Sequence, residues 1–243
     1  MSKEQWTPNI KQPFVYLKGI EEVIPRIGGW TDLGIREWCA EIADFVPKVA
    51  KPIEFTALSP TTILQKDQDR NSTTFKMRYA KLAKPEVLKE APSSLLNLVA
   101  NYAGLVSISA YDVAKKLQGN SVLPVPLDES NQRRIEAFVT SESAGESSDW
   151  HKDEKLTLPL YVQPEQAVLV SHLTNPRNVE DLYEAPFTVI EPDYGQFLAF
   201  DGVNHPHKGV TKKYIHGDRV VLGVMYDLPG FKADGPKLDE LLS

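Results

Sequence analysis

Beyond Leu123 the chain is built from short apolar segments cut by turn residues, and this spacing limits what it can fold into more tightly than any other feature. Arg134–Thr140, Leu156–Val162, Ala167–His172, Phe187–Ile190, Gly195–Phe200 and Arg219–Tyr226 are rich in Val, Leu and Phe. Turn signals such as Pro192-Asp193-Tyr194-Gly195 and His216-Gly217-Asp218 separate them. Strands of that length and spacing predict a sandwich or barrel. Upstream the pattern differs. Ile35, Trp38, Cys39, Ile42, Phe45 and Val46 recur at helical spacing, with Thr31 as N-cap and Pro47 as the stop. Phe14–Leu17 and Thr73–Leu82 suit strands, whereas Glu86–Glu90, Ser93–Tyr102 and Ser109–Leu117 suit helices. Gln65–Ser72 reads as a polar hairpin tip. The expected fold is α+β with a mainly β core. It forms one domain over 1–243, with helical support over about 1–122 and a β-barrel or jelly roll over about 123–228.

Composition excludes several functions. A net charge of −6 argues against a protein held on nucleic-acid phosphates, which needs a basic face. No apolar run approaches the roughly 20 residues that span a bilayer. One cysteine, Cys39, excludes an intrachain disulfide framework or a Cys-based zinc cluster, and its apolar setting suits a core residue. Met1–Trp6 lacks the apolar core of a secretory signal, so a cytoplasmic location is expected. There is no Gly-x-x-x-x-Gly-Lys loop, dinucleotide fingerprint or Gly-x-Ser-x-Gly elbow.

Chemistry concentrates in Trp150-His151-Lys152-Asp153. In an extended segment, residues two apart share a face, so His151 and Asp153 can point together. A histidine from a neighbouring strand would complete a two-His-one-carboxylate set, which leaves coordination positions open and suits non-haem Fe(II). Asn204-His205-Pro206-His207 supplies two candidates of equal strand parity. Further on, Arg219 stands among the apolar residues of Gly217–Val224. A guanidinium facing inward there needs an anionic partner, and its fork fits a carboxylate.

The order His151-x-Asp153, His207, Arg219, with its flanking strands, resembles the Fe(II)/2-oxoglutarate-dependent dioxygenases over about residues 148–228. The resemblance implies a double-stranded β-helix (jelly roll) with supporting helices. It implies Fe(II) on His151, Asp153 and a distal histidine, with 2-oxoglutarate and O2 as co-substrates. A Pro-His pair favours His207 as that histidine over His205. Arg219 would take the distal carboxylate of 2-oxoglutarate, with Tyr79 as a second contact. Where many members have Arg-x-Ser, this chain has Arg219-Val220-Val221, so another donor must be sought. With Asp153 present, the family outcome is hydroxylation or a related oxidation rather than halogenation, releasing succinate and CO2. The substrate expected is a small molecule, an amino acid or secondary metabolite. A cupin-like metal-binding protein without this activity is the alternative, and Arg219 separates the two. Ser141–Ser148 and Asn175–Tyr183 are candidate lids. Oligomeric state is not legible.

Overall fold

The computed structural model describes residues 6–23, 34–58, 72–101, 135–141, 150–153, 157–163, 166–211 and 218–225. Among the described residues, ten strands form two antiparallel sheets. The larger takes β1 (Val15–Gly19), β2 (Lys51–Leu58), β3 (Ser72–Lys81), β4 (Ile135–Ser141), β5 (Thr157–Tyr161), β8 (Gln196–Phe200) and β10 (Asp218–Met225). Its order is β1-β8-β5-β10-β4-β3-β2. The smaller takes β6 (Gln166–Ser171), β7 (Phe187–Ile190) and β9 (His207–Thr211), in the order β7-β6-β9. The helices are α1 (Ile20–Val23), α2 (Ile35–Val49), α3 (Pro85–Leu88), α4 over residues 93–101 and α5 (Glu180–Glu184). None of the described helices is long and apolar enough to cross a membrane.

Strand alternation divides the core in two. Leu160, Phe197, Ala199, Val220 and Leu222 pack with Trp38, Cys39, Ile42 and Val46 of α2 on one face of the large sheet. Their chain neighbours Tyr161, Leu198 and Phe200 pack instead with Val168, Val170 and Ile190 of the small sheet. Residues 197–200 are therefore all buried, because β8 has protein on both sides. Burial pushes the Cys39 thiol up to about 12, which leaves it inert at neutral pH. Trp38 is 1% exposed at the centre of the helix-side core. Trp38→Ala should cost about 3–5 kcal/mol of stability, read by urea unfolding. A loss below about 1 kcal/mol would count against this packing.

Two expectations change. Pro47 lies inside α2 rather than ending it, and the helix runs on to Val49, with Ala50 N–H donating to the Val46 carbonyl. The backbone donor that Pro47 lacks falls in the last turn. There the Pro47 carbonyl accepts from Arg78 Nη1 at 2.9 Å, a cation at a helix C-terminus. The N-terminal portion is not only helical: β1, β2 and β3 all join the large sheet, through β1–β8 and β3–β4 pairing. Two strands lack a clear pattern in sequence. β2 carries Pro52 and is tolerated because it lies at a sheet edge. β9, His207-Lys208-Gly209-Val210-Thr211, has little β propensity and is held by its pairing with β6. The expected N-cap Thr31, the hairpin tip before Ser72, the helix over 109–117, His216 and the 142–148 part of one candidate lid lie outside the described residues.

Candidate functional site

His151 and His207 form an isolated antiparallel bridge, each donating its N–H to the other's carbonyl, at 3.0 and 2.9 Å. Directly paired residues share a face, and the two imidazoles stand 4.3 Å apart. Asp153 follows two residues after His151, so its side chain returns to that face while its N–H donates to the Gly202 carbonyl at 2.9 Å. One ligand atom from each of His151, Asp153 and His207 lies within 4.8 Å of the other two.

The donor set suits a cation. His207 Nε2 and Asp153 Oδ2 face each other at 3.6 Å, too long for a hydrogen bond. Burial first, and the neighbouring imidazoles after it, lower the His207 pKa to about 4 against the pull of Asp153. The ring is thus neutral at pH 7 and offers a lone pair. Its Nδ1–H donates to the His205 carbonyl at 3.2 Å, which assigns the free pair to Nε2 on the Asp153 side. Phe200 closes against the same ring, edge-on at 4.7 Å. Gly202 passes close beside it: a Cβ there would stand 2.7 Å from Asp153 Oδ2 and 3.0 Å from His207 Cε1. His205 is directed elsewhere, its Nδ1 on the Ser171 carbonyl at 2.8 Å.

A buried cation lies further along β9. Arg219 is 8% exposed on β10. Its guanidinium packs so closely over Gly209 that an added Cβ would stand 2.7 Å from Cζ. Nε donates to Gln166 Oε1 at 3.1 Å, and a side-chain hydrogen bond joins the guanidinium to the Tyr161 phenol. Burial raises the Tyr161 pKa, with the Arg219 charge opposing, so the phenol keeps its proton. Tyr79 pairs with Phe138, and β4 separates its strand from β10. It shares the sheet face of Arg219, two strands away.

Tyr161, Gln163, Gln166, Gly202 and Gly209 went unread in the sequence. The one signal for Tyr161 is the hydroxyl missing after Arg219. Tyr161 pairs directly with Val221, two residues beyond Arg219, so its phenol shares the guanidinium's face of the sheet, and only register reveals it. Other side chains have structural places. Trp150 is buried, edge-on to Tyr183 and beneath the Lys208 ammonium. Lys152 Nζ donates to the Thr174 carbonyl at 2.8 Å, and His172 Nε2 lies 2.9 Å from Thr188 Oγ1. The candidate lid at Asn175–Tyr183 is tied to residues 6–9. Asn175 accepts from Trp6 Nε1 and Asn9 N–H, and Arg177 covers the Trp6 ring.

No family model matches the chain, and no curated protein matches it. Among solved structures it is similar to the non-heme alpha ketoglutarate dependent epimerase SnoN from nogalamycin biosynthesis. That likeness has 12% identity and a TM-score of 0.42, over 80% of this chain and 73% of that one. SnoN in complex with Fe3+, alpha ketoglutarate and nogalamycin RO gives 12% and 0.44, with 86% of each chain covered. The non-heme alpha ketoglutarate dependent carbocyclase SnoK gives 13% and 0.43, over 93% and 82%. At such values the likeness is distant, and the chemistry of the site rests on its own residues.

Proposed function

We propose that the protein is a non-haem Fe(II)- and 2-oxoglutarate-dependent oxygenase on a jelly-roll scaffold. It oxidises a small molecule, an amino acid or secondary metabolite, and releases succinate and CO2. One observation carries the reading: His207 and Gly209 share one face of β9, so the His-Asp-His cluster and the Arg219 guanidinium sit a two-residue step apart. That step is roughly 7 Å. The end carbons of a five-carbon dicarboxylate lie about 5 Å apart when extended, and its oxygens add reach at both ends. A molecule of that length can meet the metal with one end and the guanidinium with the other.

His151, Asp153 and His207 would hold the iron from one side, leaving positions for the keto acid and O2. When bound, the iron supplies the activation of O2. The chain's own groups bind and orient. Asp153 contributes the negative charge of the set, and the His205 carbonyl holds the His207 tautomer. Arg219 takes the distal carboxylate, and the Tyr161 phenol, rather than Tyr79, is the second contact. Burial around Arg219 and Tyr161 strengthens both contacts by excluding water.

The test is spectroscopic. Anaerobic addition of Fe(II) and 2-oxoglutarate should give a weak visible charge-transfer band, and O2 should then yield succinate. Iron-loaded protein that shows no band would sink the oxygenase and leave a cupin-like metal-binding protein.

A further inference from the structure

Arg219 is held by a closed chain of amides. Val220 N–H donates to Gln163 Oε1 at 2.9 Å, and Gln166 Nε2 donates to the same oxygen at 3.2 Å. Gln166 Oε1 then accepts from Arg219 Nε at 3.1 Å. Both ends of the chain, a backbone N–H and a guanidinium N–H, can only donate. This fixes the orientation of both amides, because flipping either one would set donor against donor. The ring returns to the strand it left, since Val220 and Arg219 are adjacent on β10. Gln166 is fully buried, which makes each of these bonds costly to lose.

We propose that Gln166, braced by Gln163, is a positioning residue that aims the Arg219 guanidinium at the distal carboxylate of the co-substrate. It rests on the reading of this site as a 2-oxoglutarate site. A guanidinium has five N–H donors, and binding Nε–H fixes its plane while leaving the four Nη hydrogens for Tyr161 and the ligand. The holding group must also be neutral. An amide oxygen orients the cation without cancelling its charge, whereas a carboxylate at position 166 would do both and compete with the ligand. It would also set an oxygen against Gln163 Oε1, where Gln166 now donates. A glutamine is neutral and donates to Gln163 Oε1, whereas an ionised glutamate is neither neutral nor a donor.

The experiment measures binding of 2-oxoglutarate and of pyruvate to the full chain loaded with Mn(II). Pyruvate shares the keto-acid end but has no distal carboxylate. In Gln166→Glu, 2-oxoglutarate affinity should fall roughly tenfold to a hundredfold, the loss of a hydrogen bond to a charged group, with pyruvate affinity unchanged. Gln166→Met, which keeps bulk but neither accepts nor carries charge, should show a smaller loss of the same selectivity and serves if Gln166→Glu does not fold. Equal losses for both keto acids would make the role merely structural and overturn the proposal. So would 2-oxoglutarate affinity within twofold of wild type in both variants. Wild type that binds pyruvate and 2-oxoglutarate equally would instead overturn the underlying co-substrate site, and the positioning role with it.

Discussion

Asp153→Ala should reduce divalent-metal affinity by more than about a hundredfold and abolish 2-oxoglutarate turnover. Outer partners of a metal ligand alone cost ten- to a hundredfold. Asp153 is the carboxylate of the three-residue cluster, and its Oδ2 faces the neutral His207 imidazole. Without it two imidazoles remain to hold a dication in a largely buried setting, with no charge to offset the loss of hydration. The β core does not depend on the carboxylate, so folding should survive. The measurement is Mn(II) or Co(II) titration beside a thermal melt, with Glu86→Ala as the control because that carboxylate is exposed on α3. Metal affinity within threefold of wild type would remove Asp153 from the ligand set.

Gly209→Ala should leave the metal centre intact and cripple co-substrate binding. The added methyl would overlap the Arg219 guanidinium, whose Cζ lies 2.7 Å from the new Cβ. The group in the way is the far end of a flexible side chain, so Arg219 can move and the chain should still fold, with a stability loss of about 1–3 kcal/mol from the buried bonds it leaves. Moving it breaks the bonds to Gln166 and Tyr161 and takes the cation from its place along β9 from the His-Asp-His cluster. The dissociation constant of 2-oxoglutarate should rise by at least about tenfold, approaching that of Arg219→Leu, with Mn(II) affinity unchanged. Unchanged 2-oxoglutarate affinity in Gly209→Ala would show that the guanidinium does not depend on that close approach. A fall in metal affinity would show that the two ends of the slot are not separate.

The apolar segments after Leu123 and the helical stripe from Ile35 were legible because burial imposes a period on sequence, and each became an element. β9 and β2 were not, because polar residues, Gly209 and Pro52 hide a strand whose conformation comes from its neighbours. Pro47 misled for a related reason. Its local preference to end a helix is outweighed by the packing of Val46 and by the Arg78 contact at its carbonyl.

Sequence by itself determined which residue types could meet at the site. The two-residue spacing of His151 and Asp153 placed them on one face, and a lone Arg219 in an apolar strand implied an anion. Strand parity left His205 and His207 equivalent, and only the family resemblance favoured His207. Only the tertiary structure distinguished their directions. The His151–His207 bridge brings one imidazole beside Asp153, and the Ser171 carbonyl draws the other away. It also joined Tyr161, Gln166 and Gly209 to Arg219 across three other strands, β5, β6 and β9. Register between strands is set by the whole of the packed sheet, so no local stretch of the chain records it.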